Sequence, residues 1–395
     1  MSLTLLFDLD DTLLDTNLAV FVPAYFQALS KHLFGRVPPT RVGRALVHGM
    51  NLMNESDDPA RTLQDIFEAD FYPALGIPKQ ELLEPLEDFY DHVFPTIGEH
   101  TRLRPDAAPL IEWALDCGYR VAIATDPLFP RKATWHRVRW AGLDPEKLEL
   151  ISTFEDFHFT KTRPAYYAEV LGRLGWPEGP ILMVGNDVGR DLLPAHQLGL
   201  ETYLIDEDSA SAPGFEAGRG SLADLRPWLE SVNVSTLEPS FKSREATLAI
   251  MASTPAVLHS LTSSLSETKW HHEPAPDVWA VNEIVCHLRD TEREIHQLQL
   301  KLMIEREDAF IPRPDTSVWA NERDYLKENG LTALAGFTSA RIESLKQLKS
   351  LESEIWSRRA RHAIFGPTNF LEVTSFLTDH DRMHIQQAWN TLKQL

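Results

Sequence analysis

The feature that most constrains the fold of this chain is an apolar run near its N-terminus that stops at a pair of carboxylates. The run extends from Leu3 to Phe7, and Asp8 and Asp10 follow it. A short, continuous apolar run is typical of a strand buried on both faces, as in a parallel sheet. Because open α/β sheets bind ligands beyond the carboxyl ends of their strands, the two aspartates are expected to face a substrate.

Other strand candidates in the first part of the chain end in polar residues in the same way. The range 119–124 is followed by Thr125, and the range 180–184 leads to Asp187. Residues 202–205 are the last candidate. Helical patterns separate these runs, and strands that alternate with helices predict a parallel, doubly wound, Rossmann-like sheet.

Two other parts of the chain carry helical patterns without a strand pattern. Residues 17–98 contain amphipathic stretches that prolines punctuate. After the first domain, helical stretches with apolar stripes predict a four-helix bundle, and they cover residues 243–266, 279–305, 331–351 and 369–393. We therefore predict an α/β core (1–16 and 99–230), a helical insertion (17–98), a polar linker (231–242) and an all-α domain (243–395).

The net charge of the chain argues against a polyanionic partner. It is −20 over 395 residues, with −17 in residues 1–240 and −3 in residues 241–395. Nucleic-acid binding normally needs a basic face, and neither part supplies one in bulk, so we expect no nucleic-acid partner. A small phosphorylated substrate remains compatible with this charge, because a bound cation can reverse the field around acidic side chains.

Other sequence features favour a cytoplasmic protein that does not enter a membrane. No apolar run approaches the length of a membrane span, and no basic region precedes the apolar run at the N-terminus. The two cysteines, Cys117 and Cys286, lie far apart in the sequence and form no metal-binding or redox motif. A reducing compartment is the default for such a chain.

The N-terminal aspartates suit phosphoryl chemistry. Hydrolysis of a phosphate ester needs a nucleophile, a proton donor for the leaving group and cations around the developing charge. Asp8 is the candidate nucleophile, and Asp10 is the candidate acid that protonates the leaving oxygen and later activates water. Two carboxylates and a phosphate need positive charge close by, and Mg²⁺ is a hard cation that is well matched to phosphates.

The Asp-x-Asp-x-Thr run that begins at Asp8 resembles the first motif of the haloacid dehalogenase-like superfamily of hydrolases, which are mostly phosphatases. The resemblance covers about residues 1–230. Within it, Thr125 fits the second motif, a hydroxyl that binds a phosphoryl oxygen. Lys161 fits the lysine of the third motif, although Thr162 replaces the proline that usually follows it.

The fourth motif of that superfamily is Gly-Asp followed by a further acid, and two alignments are open. Asp187 and Asp191 fit it with a spacing of four, and we favour them because a carboxylate binds Mg²⁺ better than an amide does. In the other alignment Asn186 takes the ligand position, five residues before Asp191. The resemblance also implies that residues 17–98 form a cap. The implied Mg²⁺ ligands are Asp8, Asp10, Asp187 and Asp191.

Asp10 favours a phosphatase over a dehalogenase. A halide leaving group needs no acid, and the dehalogenase branch of the superfamily lacks a carboxylate at this position. We expect a Mg²⁺-dependent phosphatase that acts on a small phosphorylated metabolite through an aspartyl-phosphate intermediate. The alternative is a sensor that binds a phosphorylated ligand without turnover, which the set of Asp8, Asp10, Thr125 and Lys161 disfavours.

Three histidines in the helical part of the chain could bind a metal. His380 and His384 are four residues apart on one face of a helix, a spacing that can chelate a metal. His287 lies on the inward side of another helix, and bundle cores build metal sites from facing helices. Histidines on a semi-apolar face are more often core residues bonded to neighbours, so the spacing alone leaves both interpretations open.

The segments around these histidines, 279–292 and 380–387, resemble the DinB-like family over about residues 243–395. That family is a four-helix bundle whose three histidines bind a divalent metal, which implies a site formed by His287, His380 and His384. Zn²⁺ or Ni²⁺ suits imidazole ligands, and three histidines with an open position are typical of a catalytic site. The reaction stays open. The alternative is a binding or dimerisation module, with a homodimer formed through the bundle.

Overall fold

The computed structural model describes residues 2–206, 214–276 and 278–395, so residues 1, 207–213 and 277 of the predicted domains lie outside the described residues. The chain divides into two compact units. The first consists of Met1–Tyr167, Glu178–His196 and Leu200–Pro239, and the second of Ala168–Pro177, Gln197–Gly199 and Ser240–Leu395. The main division follows Pro239, inside the range that the sequence assigns to a linker.

A six-stranded sheet forms the centre of the first unit. The strands of this unit are, in chain order, β1 (Thr4–Phe7), β2 (Leu14–Asp15), β3 (Arg102–Leu103), β4 (Arg120–Ile123), β5 (Leu150–Ile151), β6 (Ile181–Gly185), β7 (Glu201–Ile205) and β8 (Gly218–Gly220). The large sheet has the order β5-β4-β1-β6-β7-β8, and all its neighbours are parallel. Strands β2 and β3 form a separate antiparallel pair. The predicted parallel sheet is confirmed.

The register of the sheet brings three strand ends to one edge. Phe7, the last residue of β1, lies opposite Ile123 of β4 and Val184 of β6. The pairing continues beyond β1, because the amide of Asp8 donates to the carbonyl of Val184 at 2.9 Å. The residues that directly follow β1, β4 and β6 are therefore neighbours in space.

The described residues up to Ser231 also form nine α-helices. The four that lie between β2 and β3 are α1 (Leu18–His32), α2 (Pro39–Glu55), α3 (Leu63–Leu75) and α4 (Lys79–Asp88). The others are α5 (Ala107–Asp116), α6 (Arg131–Trp140), α7 (Pro164–Arg173), α8 (Leu193–Leu198) and α9 (Leu222–Ser231). Helix α3 begins at a capping box, in which the side chains of Thr62 and Asp65 each accept the backbone amide of the other.

Apolar cores of the first unit lie around the sheet and among the helices between β2 and β3. One lies around the sheet, where the side chains of β1, β4 and β6, apart from Arg120, are almost fully buried. The other is rich in aromatic rings, and it is formed mainly by α1 to α4 and the turns after them, with Phe129 and Ala133. A short turn, Val234–Leu237, lies within the predicted linker, and Leu237 belongs to the sheet core. That part of the range is therefore folded.

The second unit is mostly helical. Its helices are α10 (Arg244–Thr262), α11 (Glu267–Trp270), α12 (Val281–Thr291), α13 (Gln297–Glu305), α14 (Trp319–Glu322), α15 (Gly330–Lys349), α16 (Ser353–Trp356) and α17 (Phe370–Leu392). A wider helical turn, Glu292–His296, joins α12 to α13, so four long helical segments form the predicted bundle. Asn369 and Glu372 cap the start of α17 reciprocally. Within the described residues, no helix is long and apolar enough to cross a membrane.

The prediction that no strand follows residue 243 is wrong. A three-stranded sheet contains β9 (Ala309–Ile311), β10 (Arg359–His362) and β11 (Gly366–Asn369). Strand β10 pairs with β9 in parallel and with β11 antiparallel. Each strand has only three or four residues, which is too short to leave a clear period in the sequence. The pairing of β9 with β10 also joins residues about fifty positions apart, which local patterns do not reveal.

Candidate functional site

Asp8 lies at the end of β1 with both oxygens of its carboxylate bound. Lys161 Nζ donates to Oδ1 at 2.6 Å, and the hydroxyl of Thr12 donates to Oδ2 at 2.9 Å. Only 6% of Asp8 is exposed. The carboxylate is therefore held in one orientation. Thr12, to which the motif alone assigns no role, is part of the site.

Lys161 is a buried cation that forms ion pairs with two carboxylates. It precedes α7, and its ammonium forms ion pairs with Asp8 and Asp191. Burial alone would lower the pKa of Lys161, but the charges of Asp191 and Asp8 outweigh it and hold the pKa well above its ordinary value. Burial and the charge of Asp8 raise the pKa of Asp191 to about 7, although Lys161 acts in the opposite direction. The two carboxylates therefore carry more negative charge than the ammonium of Lys161 neutralises.

Thr125 and Asp10 each carry a buried oxygen without a partner among the described residues. These atoms are the hydroxyl oxygen of Thr125 and Oδ1 of Asp10. The other carboxylate oxygen of Asp10 accepts from the guanidinium of Arg137. The backbone carbonyl of Thr125 is fixed by the hydroxyls of Ser152 and Tyr166, at 2.6 and 2.8 Å. Buried polar atoms are nearly always bonded, so the two free oxygens mark places where a ligand can bind.

The two candidates for the fourth motif have different surroundings. The exposed carboxylate of Asp187 accepts the backbone amides of Gly189 and Arg190, at 2.8 and 3.1 Å, and so caps the turn that follows. The side-chain oxygen of Asn186 lies 3.2 Å from the hydroxyl of Thr12, which also binds Asp8. The geometry therefore brings Asn186 towards Asp8, whereas the carboxylate of Asp187 is engaged in its own turn.

Except for Thr125, the predicted site residues of the first domain line one cavity. Its volume is about 380 Å³, and its lining includes Asp8, Asp10, Lys161, Asp187 and Asp191. Thr125 is buried at the end of the neighbouring strand β4. The lining also includes Arg137, which the sequence analysis did not single out, because a single arginine in a helix carries no local sign of a site.

The oxygen donors of this cavity suit a hard cation. Carboxylate and amide oxygens are the ligands that Mg²⁺ prefers, and a cation would relieve the excess negative charge beside Asp191. Among the described residues, however, no three of these acids converge within 4.8 Å as a ligand group. Instead Lys161 and Arg137 pair with them. The donor types fit the ion, and the ligand set is open between Asn186 and Asp187.

Three histidines of the second unit face one another. His287 lies on α12, and His380 and His384 lie one turn apart on α17. The Nε2 atom of His380 is 3.2 Å from that of His287 and 3.1 Å from that of His384. Within the described residues, they form the one group of at least three potential ligands whose atoms all lie within 4.8 Å. The spacing of the histidines therefore corresponds to a real cluster.

All three imidazoles of this cluster are neutral near pH 7. Burial and then the charge of His384 lower the pKa of His287 to about 3, and burial lowers the pKa of His380 and of His384. The side-chain oxygen of Gln387 lies 2.9 Å from Nδ1 of His384 and can only accept, so Nδ1 carries the proton and Nε2 presents a lone pair. Neutral imidazoles with converging nitrogens fit a divalent transition metal.

The surroundings of the cluster include an aromatic ring beside His384 and a cavity beside His380. The ring of Trp279 stacks parallel to His384 at 6.0 Å. His380 also lines a cavity of about 340 Å³, together with His296 and Arg313. One of the three histidines is thus also part of the wall of a cavity.

A parallel α/β domain with acids and a lysine at its strand ends, followed by a bundle with three facing histidines, defines a two-domain protein of the hydrolase class. Residues 3–199 match the sequence profile of the haloacid dehalogenase-like hydrolases, and residues 251–388 match that of the DinB superfamily. The haloacid dehalogenase-like hydrolase family is thus assigned to residues 3–199, and the DinB superfamily to residues 251–388. The recognition of both families from their motifs is confirmed.

Solved structures match each of the two parts of the chain. A phosphatase of the haloacid dehalogenase type from Thermococcus onnurineus is 22% identical, with 58% of this chain and 98% of that chain covered and a TM-score of 0.39. A 2-haloacid dehalogenase from Pseudomonas syringae pv. Tomato DC3000 is 20% identical, with 58% and 99% covered and a TM-score of 0.43. YfiT from Bacillus subtilis is 17% identical, with 39% and 88% covered and a TM-score of 0.36. No curated protein matches the chain.

Proposed function

We propose that the first domain hydrolyses small phosphomonoesters through a covalent intermediate on Asp8. The observation that carries this proposal is the buried carboxylate of Asp8, which Lys161 and Thr12 orient at the floor of the acidic cavity. In the first step an oxygen of Asp8 attacks phosphorus, and the bond from phosphorus to the alcohol oxygen breaks. In the second step water attacks the same phosphorus and releases phosphate, which restores the carboxylate.

Asp10 is the proposed proton carrier of both steps. As an acid it gives its proton to the leaving alkoxide, and as a carboxylate it then takes a proton from the attacking water. Its unbonded Oδ1 is available for this exchange, while the other oxygen is held by Arg137. The proton that Asp10 takes from water in the second step restores the protonated acid that the first step needs.

Lys161 and Thr125 are the proposed binders of the transferring phosphoryl group. The ammonium supplies positive charge, and the hydroxyl of Thr125 is a donor without a partner among the described residues. Mg²⁺ would be held by Asp8 with Asp10, Asp191 and either Asp187 or Asn186, and it would neutralise phosphoryl oxygens as charge develops. Preorganised cations of this kind are the largest source of acceleration in phosphoryl transfer.

Dehalogenation is the second candidate reaction, since the family contains dehalogenases. The acid at position 10 favours the phosphatase, because a halide leaves without a proton whereas an alkoxide does not. The sensor alternative, which binds a phosphorylated ligand without turnover, would not need an acid placed beside the nucleophile.

The decisive test is a release assay on the purified chain. Phosphate release is measured over a panel of phosphorylated metabolites, with Mg²⁺ added and with chelator, and chloride release is measured from 2-chloropropionate. We expect phosphate only, with Mg²⁺ dependence, and its loss in Asp8→Asn. The matched control is Asp106→Asn, which alters a carboxylate on the surface. Undiminished phosphatase activity in Asp8→Asn, or chloride release alone, contradicts the proposal.

For the second domain we propose a divalent metal centre formed by His287, His380 and His384, with Zn²⁺ or Ni²⁺ as its ion. Its support is the approach of three neutral imidazole nitrogens to within hydrogen-bond distance. Metal analysis after loading tests it, because each single His→Ala variant should lower the bound metal. A chain that takes up neither ion contradicts the proposal and favours a binding or dimerisation module. The reaction of the domain is left open.

A further inference from the structure

Arg137 is a buried cation in the wall of the acidic cavity. It lies on α6, only 1% of it is exposed, and it lines the cavity together with Asp8 and Asp10. Its guanidinium stacks over the ring of Phe129 at 4.7 Å. One nitrogen, Nη2, donates to Asp10. The side chain is therefore fixed in place and directed at the acid rather than at solvent.

Part of the guanidinium has no partner. Nε and Nη1 of Arg137 are buried and form no hydrogen bond to any described residue. A buried donor that stays unbonded is costly, and the cost is larger for a charged group. Burial lowers the pKa of Arg137 to about 10, while the charge of Asp8 acts in the opposite direction, so the group is still a cation at neutral pH.

The other two cations of the cavity are already committed. Lys161 pairs with Asp8 and Asp191, and Arg190 pairs with Asp126. Among the described cavity residues, Arg137 is therefore the cation with buried donors left over. Those donors need an anion or a strong acceptor that enters the cavity with the substrate.

The position of Arg137 relative to the proposed reacting groups indicates which part of the substrate carries the anion that Arg137 binds. Lys161 and Thr125 serve the phosphoryl group, and Asp10 serves the leaving oxygen. Because Arg137 is bonded to Asp10, it lies on the side of the leaving alcohol. An anion bound there belongs to the alcohol portion of the ester and not to the phosphoryl group that Asp8 attacks.

We propose that Arg137 is a specificity-determining residue that binds a second anionic group, a carboxylate or a second phosphate, on the alcohol portion of the substrate. The enzyme then favours phosphomonoesters of anionic alcohols over those of neutral alcohols. This inference rests on the proposed phosphatase function. Guanidinium groups bind carboxylates and phosphates through charge-assisted hydrogen bonds, which are the stronger kind.

The test compares substrates that differ in the second anion alone. 3-Phosphoglycerate and glycerol 3-phosphate differ by a carboxylate in place of a hydroxymethyl group, and fructose 1,6-bisphosphate and fructose 6-phosphate differ by a phosphate. With the full chain and Mg²⁺, kcat/KM should be higher for the anionic member of at least one pair by about 10–100-fold. Which pair responds identifies the anion. Equal values within both pairs overturn the inference.

Substitutions of Arg137 distinguish two possible roles of this residue. One is to bind the second anion of the substrate, and the other is to orient Asp10. Arg137→Met should bring the ratio of kcat/KM within the responding pair close to one, and Arg137→Lys should keep part of the preference. If Arg137 acts only by orienting Asp10, both members lose activity equally and the ratio stays, which overturns the inference. Arg139→Met is the matched control, because Arg139 is exposed on the same helix and should leave the ratio unchanged.

Failure of the proposed function would be distinguishable from failure of this inference. If no ester is hydrolysed, the phosphatase proposal fails, and binding of 3-phosphoglycerate and glycerol 3-phosphate is then measured by calorimetry. Tighter binding of 3-phosphoglycerate that is lost in Arg137→Met and kept in part in Arg137→Lys supports the role of Arg137, and a preference that survives in Arg137→Met overturns it. Equal binding overturns it. Circular dichroism spectra confirm that each variant is folded before it is compared.

Discussion

The ammonium of Lys161 lies 2.6 Å from Oδ1 of Asp8, although 153 residues separate the two in the sequence. The parallel sheet makes this contact, because it brings the residue after β1 to the same edge as the loop that precedes α7. The pair is almost fully buried, at 2% and 8% side-chain exposure. An ion pair this deep holds the carboxylate in place and also offsets its charge, so the fold and the proposed chemistry depend on the same contact.

Replacement of Lys161 by methionine should reduce both activity and stability. Removal of one preorganised donor lowers kcat by about 10²–10³-fold in comparable sites. Asp8 and Asp191 would then be buried without their counter-charge, which costs about 3–5 kcal/mol when a buried pair is broken. Urea unfolding at pH 8 and phosphate release measure the two effects. Lys147→Met, at an exposed position, should change neither, and an equal loss there would contradict the role of Lys161.

Replacement of Asp10 by asparagine should lower the rate of hydrolysis most for esters with poor leaving groups. An alkoxide needs a proton as it departs, whereas 4-nitrophenolate does not, so the loss for an alkyl phosphate should reach about 10²–10⁴-fold. The loss for 4-nitrophenyl phosphate should be clearly smaller. Steady-state kinetics on both esters measure the difference. Equal losses would mean that Asp10 orients other groups and donates no proton.

The sheet was predictable because its strands are apolar runs that end at polar residues. Leu3 to Phe7 is buried as the sequence indicates, and the strands that end near Thr125 and Asp187 pair on either side of it. The three histidines were predictable because the i, i+4 spacing on α17 fixes two of them on one face. These signals are local, and periodicity captures them.

Contacts between distant residues were not predictable in the same way. Arg137 reaches Asp10 across 127 residues, and nothing in the pattern of α6 separates it from its exposed neighbour Arg139. The choice between Asn186 and Asp187 also depends on a hydrogen bond from Thr12, which no spacing rule gives. The roles of these residues depend on burial and on contacts between distant residues, which arise only when the chain is folded.

Substitution of Asn186 and Asp187 by alanine tests which of them contributes to Mg²⁺ binding. Asp187 accepts two backbone amides, so Asp187→Ala should cost about 1 kcal/mol of stability through the lost cap. Asn186→Ala should instead raise the Mg²⁺ concentration at half-maximal activity, because its amide oxygen faces Thr12 beside Asp8. A Mg²⁺ titration of phosphate release decides. The opposite order would assign the ligand to Asp187.

Substitution of Gln387 by alanine should weaken metal binding without removing a ligand. Its side-chain oxygen fixes the protonated Nδ1 of His384, and loss of such an outer contact typically lowers metal affinity by about 10–100-fold. Competition with a coloured chelator measures the affinity for Zn²⁺ and Ni²⁺. Gln386→Ala, one position away on α17, is the matched control. Equal affinities for the two variants would mean that Gln387 does not orient the ligand.

The stability of the second domain should fall in acid through Glu292. This side chain is fully buried and accepts from Arg341 at 2.9 Å, from Ser344 and from His296. Burial would raise the pKa of Glu292, but the charge of Arg341 and the hydrogen bond from His296 outweigh it, and the net shift is downward. In the unfolded chain the pKa is ordinary, at about 4.3, so the unfolded state takes up a proton first as the pH falls.

The stabilisation from Glu292 is therefore complete above about pH 5 and is lost progressively as the pH falls below 4. Glu292→Gln should be less stable than the wild type by about 3–5 kcal/mol at pH 7, since it leaves Arg341 with one fewer counter-charge in the interior. The difference should shrink towards pH 3, because the unfolded wild type binds a proton at Glu292 there while the buried carboxylate of the folded state still excludes it. Urea unfolding at pH 7, 5 and 3 measures it. A difference that stays constant over this range would show that packing, and not the charge of Glu292, carries the effect.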